Sequence, residues 1–112
     1  MPDEDRIRIR HMIEAAESAL RFISGRVRQD LETDQMLLFA VVRAVEIIGE
    51  AASKVSVETR KNHSSIPWDA IIGMRHRLVH AYFDINKHVV WVAVTEEIPA
   101  LLPGLQALLA NE

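Results

Sequence analysis

The chain has no cysteine among its 112 residues, which removes disulfides, thiolate nucleophiles and thiolate metal ligands from its chemistry. Glycine and proline are scarce, four of each, and no repeat, low-complexity tract or interdomain linker appears. Aromatic residues make up 5% of the chain; Trp68 and Trp91 fall at core-like spacing, so packing accounts for them better than base stacking does. The N-terminus, MPDEDRIRIRH, lacks the apolar stretch of a signal peptide. The C-terminal charge-free stretch, IPALLPGLQALLA, is too short to span a bilayer and carries Pro99 and Pro103. A cytoplasmic protein with no membrane partner is therefore expected. There is no excess of positive charge either. The net charge of −3 argues against a broad nucleic-acid-binding surface.

What is present is the material of a folded domain: 49% hydrophobic and 26% charged residues, enough for one core over residues 1–112. Apolar residues recur at helical spacing almost throughout, which predicts an all-α, up-and-down helical bundle. A first helix is expected over about residues 4–25, with Ile7, Ile9, Met12, Ile13, Ala16, Leu20 and Ile23 as its apolar stripe and Gly25 as its stop. A second helix, capped by Thr33 or Asp34, is apolar nearly all round. Its Leu37, Val41 and Ile48 predict a partner subunit, because one small bundle cannot easily cover so much apolar surface. The polar exceptions, Arg43, Glu46 and Glu50, fall on one line. A short helix capped by Ser56 follows, then one from Pro67 through Tyr82. After a break at Asp84–Asn86, a last segment runs to about Ala110, which Pro99 and Pro103 should kink or split.

Chemistry concentrates in GMRHRLVHAYFDIN, residues 73–86. Over residues 75–88, Arg75, Arg77 and Lys87 stand against one acid, Asp84, which makes a local basic patch. His76 and His80, at i and i+4 of a regular helix, could share a zinc ion with Asp84, Glu46 or Glu50. Against that, no glutamate adjoins the first histidine and three cations repel a divalent ion. Arg75 and His80 suit a different reaction. Imidazole moves protons near neutral pH, and guanidinium stabilises a phosphate whose charge grows. Together they fit attack by an RNA 2′-hydroxyl on its adjacent phosphate, a nucleophile the substrate already positions. On an ideal helix, however, the two side chains sit about 140° apart, and converge only if the helix ends near His80 or two copies meet. A solvated cationic face with a helix-end histidine is the plainer account. Residue types and spacing leave these readings open.

The order of residues closes part of the gap. RHRLVHAY reproduces the R-x4-H-x-Y motif of the HepT-like toxins, a branch of the HEPN superfamily. RAVEIIGEAASKVS, IPWDAIIGMRHRLVHAYFDIN and VVWVAVTEEIPALL resemble that family's blocks in the family's order. The resemblance implies a homodimeric HEPN-like bundle with two motifs facing each other across the interface. It implies a metal-independent ribonuclease without cofactor, with Arg75 and His80 as the catalytic pair. It also implies a cognate nucleotidyltransferase antitoxin (MntA-like) that silences the toxin by adenylylating Tyr82. His76 fits the position after the motif arginine loosely. Glu46 and Glu50 also resemble family positions, and a buried polar stripe paired with Arg43 or Arg75 is the expected role for them. The competing reading is a non-catalytic helical module that docks onto a nucleotidyltransferase or binds its substrate. Tyr82 serves both readings, whereas a docking module has no need of the Arg75–His80 pair.

Overall fold

The computed structural model describes residues 1–81 and 84–111, with the side chains of His80 and Ala81 outside the description. Helix α1 (Asp3–Phe22) opens with Asp3, Glu4 and Asp5 against the positive end of its own dipole. It stops three residues before Gly25, whose φ of +74° turns the chain. The expected stripe is buried at Ile9, Met12 and Ala16, but Ile7 lies outside it, 44% exposed, and Ala15 and Ala19 are buried in addition. A short α2 (Asp30–Thr33), not foreseen from the sequence, buries Leu31. Its start is fixed by the Asp30 carboxylate, which accepts from the Val27 N–H at 2.8 Å.

Helix α3 (Gln35–Lys54) is the spine. Asp34 is its cap, accepting from the Leu37 N–H at 3.1 Å. That bond, together with a hydrogen bond from the Arg26 guanidinium, holds the Asp34 carboxyl below its usual pKa despite the opposing effect of desolvation. Leu37, Val41 and Ile48 are 7%, 0% and 1% exposed within a single chain. The sequence argument that these residues need a second subunit is thereby corrected. Helix α1 lies along one side of α3, and helices α5 (Trp68–Ile72) and α6 (Met74–Leu78) cover another. The large apolar side chains that α3 leaves exposed are Met36 and Phe39.

Helix α4 (Val57–Asn62) is capped as expected by Ser56, which accepts from the Thr59 N–H at 3.2 Å. That cap is joined to the start of α1 through Asp5, which is 3% exposed. The Asp5 carboxylate accepts from the Ser56 N–H at 3.0 Å, the Ser56 hydroxyl at 2.7 Å and the Thr59 hydroxyl at 2.6 Å. Burial alone would raise its pKa; the Ser56 and Thr59 hydrogen bonds outweigh burial and hold it below the ordinary 3.8.

The single helix expected from Pro67 to Tyr82 is three elements over residues 67–81, and its expected end at Tyr82 lies outside the described residues. Pro67 stands at the cap of α5 rather than inside it, Gly73 separates α5 from α6, and α6 ends at Leu78. The chain then runs extended as β1 (Val79–Ala81), paired antiparallel with β2 (Asp84–Ile85) at Val79↔Ile85 and Ala81↔Asp84. This two-stranded ladder is a small addition to an all-α bundle. Asn86 caps α7 (Lys87–Val92), accepting from the Val89 N–H at 3.1 Å. A π-helical turn, Ala93–Glu97, then leads into α8 (Ile98–Ala110). Pro99 has no N–H to give the carbonyl four residues back, and the Thr95 hydroxyl donates to the Trp91 carbonyl at 2.6 Å; both loosen the α-ladder at the widened turn. Pro103 sits inside α8 without dividing it, so of the two prolines it is Pro99 that lies at the split.

The run Lys87–Ala110 is helical throughout, and its length and mean hydropathy of 1.2 are sufficient to cross a membrane. Val90, Ala93, Val94, Ile98, Leu105 and Leu108 from this run belong to the same buried cluster as Ile9, Met12, Val41, Val45 and Ile48.

The Asp5 clamp yields a prediction. Asp5→Ala leaves two hydroxyls and one N–H without their acceptor and should destabilise the fold by about 2–4 kcal/mol at pH 7. The folded carboxyl titrates below its unfolded value, so its contribution is complete above about pH 4 and is lost as pH falls through the folded pKa. Melting temperatures of the parent and Asp5→Ala should be well separated at pH 7 and converge toward pH 2; a constant gap would mean that packing, not the carboxylate, carries the effect.

Candidate active site

The site begins with a backbone constraint. At Gly49 of α3, a Cβ would stand 3.3 Å from the Ile71 carbonyl oxygen and 3.4 Å from that of Ile72. A side chain there would be tight enough to push the end of α5 back by a few tenths of an ångström, and glycine lets it lie this close. The approach carries Gly73 and α6 against α3 and sets Arg75 across from Glu46, whose carboxylate accepts from the Arg75 Nε–H at 2.8 Å. Both are partly exposed, at 49% and 25% for the side chains. The pair therefore does more to aim the guanidinium than to stabilise the fold, since exposed pairs contribute about 0–1 kcal/mol. With Nε engaged by Glu46, the two terminal nitrogens of the fork remain for another acceptor.

Two clefts flank this pair. One, of about 250 Å³, is lined by Phe39, Val42, Glu46, Arg75, Val79 and Ile85. The other, of about 270 Å³, is lined by Glu46, Gly49, Glu50, Ser53, Ile72, Arg75 and His76. Arg75 and Glu46 are common to both. The first offers a partly apolar wall beside the guanidinium, with Phe39 47% exposed; the second mixes Gly49 and Ile72 with Glu46, Glu50, Ser53, Arg75 and His76.

The sequence-selected residues divide as follows. Arg75, His76, Glu46 and Glu50 come together around the second cleft. Glu46 and Glu50 do pair with Arg75 and Arg43 respectively, the latter at 3.6 Å, but the stripe is not buried: the Glu50 side chain is 61% exposed. His80 has its backbone in β1, and its side chain lies outside the description, as does the whole of Tyr82. The helix that would have aligned His76 with His80 ends at Leu78, and Val79 has extended backbone angles (φ −127°, ψ 113°). The shared helical face on which a zinc-binding histidine pair depended is therefore absent. The same ending removes the helical register that set Arg75 and His80 about 140° apart.

The local basic patch is also altered by the fold. Arg75 meets Glu46, Arg77 meets Glu97 at 2.9 Å and Lys87 meets Glu32 at 3.2 Å. Three cations clustered in sequence are each met by a carboxylate from another element, so Arg75 stands out by its place between two clefts and not by a surrounding positive field. Phe39 is the residue that sequence reasoning missed. The signal was available: Phe39, Arg43, Glu46 and Glu50 lie at i, i+4, i+7 and i+11, one line along α3. Trp68 is buried, with its indole N–H donating to the His63 carbonyl at 3.1 Å. Trp91 is packed partly against the core, in keeping with a structural role for both.

Comparison with known proteins places these features in a lineage. Residues 12–108 match the family model described as ribonuclease HepT-like. An RNase-named protein of Caldanaerobacter subterraneus subsp. tengcongensis is 36% identical over 104 residues, which span 93% of each chain. A protein named as a ribonuclease HepT in Thermococcus cleftensis is 42% identical over 73 residues, 65% of this chain and 66% of that one. An RNase-named protein of Methanocaldococcus jannaschii is 31% identical over 90 residues, 80% of this chain and 83% of its own length. No solved structure matches the chain significantly. The matched span contains the whole of α3, the Gly49 contact, both clefts and the Arg75–Glu46 pair, and on that footing the chain belongs to the HepT-like ribonuclease family.

Proposed function

We propose that this ribonuclease is the toxin of a cytoplasmic toxin–antitoxin pair, and that it cuts RNA without a metal through Arg75 and His80. The observation that carries the reading is the end of α6 at Leu78 beside an Arg75 already aimed by Glu46. A continuous helix would have kept the two motif side chains apart; an extended chain from Val79 onward does not impose that separation. Family membership supports RNA as substrate.

In this mechanism the 2′-hydroxyl loses its proton to a neutral imidazole of His80 and its oxygen attacks the adjacent phosphorus. The P–O5′ bond breaks, and the departing 5′-oxygen takes a proton from a protonated imidazole. The products are a 2′,3′-cyclic phosphate and a free 5′-hydroxyl. The terminal nitrogens of Arg75 donate to the non-bridging oxygens as charge accumulates there. Glu46 acts as a positioning residue through Nε. A homodimer would supply two His80 imidazoles, one as base and one as acid. Met36 and Phe39, the large apolar side chains that α3 leaves exposed, are the surface such a dimer would use in place of the buried Leu37, Val41 and Ile48. Regulation would fall on Tyr82. Its phenolic oxygen attacks the α-phosphate of ATP held by a nucleotidyltransferase antitoxin, pyrophosphate leaves, and the attached AMP sets a phosphate against the cations meant for RNA.

Five sets of outcomes test this. Cleavage of a single-stranded RNA should persist in EDTA and fail on a substrate carrying 2′-deoxy at the cut site; cleavage of the deoxy substrate would mean that water attacks. Glu46→Ala should lower kcat by about tenfold through a loosened Arg75 while Glu46→Gln retains most of it, and Arg75→Ala should lose about 10²–10³-fold, the scale of a removed transition-state donor. His80→Ala should abolish toxicity in cells. Tyr82→Phe should stay toxic yet escape the cognate nucleotidyltransferase, with the adenylyl increment of about 329 Da absent from its intact mass. Neutralisation of Tyr82→Phe as complete as that of the parent would move the regulatory site elsewhere. Light scattering at micromolar concentration should give a dimer that Phe39→Asp weakens; a monomer at all concentrations would remove the two-copy site.

A further inference from the structure

A separate concavity of about 560 Å³ lies where α4 meets the start of α5, lined in part by Arg60, Lys61, Ser64, Ile66, Pro67 and Trp68. It shares no lining residue with the two clefts at Arg75. Its cations differ from those of the motif. Arg75, Arg77 and Lys87 each have a carboxylate partner, whereas Arg60 and Lys61 have none among the described residues. The Nε of Arg60 is closed off from solvent and has no hydrogen-bond partner. A buried donor left without an acceptor calls for a reason. That nitrogen is shut off from a ligand as well as from solvent, so an anion entering the concavity would be met by the terminal nitrogens of Arg60 and by the Lys61 ammonium, from two residues that line it. One carboxylate, Asp69, also lines the wall, so two cations face one acid. The volume falls in the range of small-molecule sites, about 300–1,000 Å³. Ile66 and Pro67 add an apolar edge next to the buried Trp68.

We propose that this concavity binds a small phosphorylated ligand of nucleotide size, with Arg60 and Lys61 taking the phosphate and the Ile66–Pro67 edge receiving its ring. The site is independent of RNA cleavage at Arg75, and its test does not read activity. Trp68 and Trp91 are the two tryptophans of the chain, so Trp91→Phe leaves the Trp68 indole N–H, held on the His63 carbonyl, as a lone NMR reporter in the cavity wall. Titration of the Trp91→Phe protein with AMP should move that resonance with saturation, at a Kd of about 1 mM or tighter. Inorganic phosphate should compete, and adenosine should leave the resonance in place. Arg60→Gln should weaken AMP by at least about tenfold. Lys61→Gln, an exposed position, should do the same if the Arg60 variant fails to fold. Silence toward AMP up to about 10 mM, adenosine acting as well as AMP, or unchanged affinity in the variants would each overturn the proposal. Displacement of AMP by a short single-stranded RNA at lower concentration would overturn it too, by making the cavity an RNA contact.

Discussion

The close passage of α5 over Gly49 is the contact on which the geometry of the site depends. A helix can bring its last carbonyls within van der Waals reach of another helix's backbone only where no side chain intervenes, and here the first atom of any side chain would meet the Ile71 carbonyl oxygen at 3.3 Å. Just beyond that contact the chain passes through Gly73 into α6, where Arg75 and Glu46 form their 2.8 Å bond. The energy of the ion pair is small because both groups reach water. Its consequence is directional: an arginine fixed at Nε presents its other two nitrogens in a defined plane.

A second constraint works just past the C-terminal end of the spine. Asp5 ties the first turn of α1 to the cap of α4 across more than fifty residues of sequence. Since α1 lies along α3 and α4 follows α3 directly, the clamp fixes how the two ends of the spine's neighbours meet. It also makes a charged group part of the core, which ties this corner of the fold to the ionised state of one carboxylate. Folding and site thus rest on different devices. A buried, fully bonded acid holds the bundle together, and a half-exposed ion pair aims the chemistry.

The motif stretch illustrates why charge counted along a chain is a poor guide to charge on a surface. Arg75, Arg77 and Lys87 sit within thirteen residues of one another, yet Glu46, Glu97 and Glu32 come from three different elements to meet them. Arg60 and Lys61, less conspicuous in sequence, are among the cations that the fold leaves without a carboxylate partner among the described residues, and both line one concavity. The first cluster is organised for direction and the second is open to an anion.

The sequence by itself determined the helical class, the cap at Ser56, a cap at Thr33 or Asp34, and a disturbance of the last helical run at a proline, because each rests on spacing or on a side chain acting on its own turn of backbone. It also determined the family, through three ordered blocks around R-x4-H-x-Y. Tertiary structure decided that Leu37, Val41 and Ile48 are covered by their own chain and that Ile7 is not, since which face is covered depends on how helices cross. It decided that α6 stops at Leu78 and the chain turns extended. The cause there is pairing with β2, in which Val79 and Ile85 find each other across the ladder and the Asn86 N–H donates to the Leu78 carbonyl at 2.8 Å. A helical pattern running through Val79 contains no local signal of that competition, because the partner that wins lies beyond it in the chain.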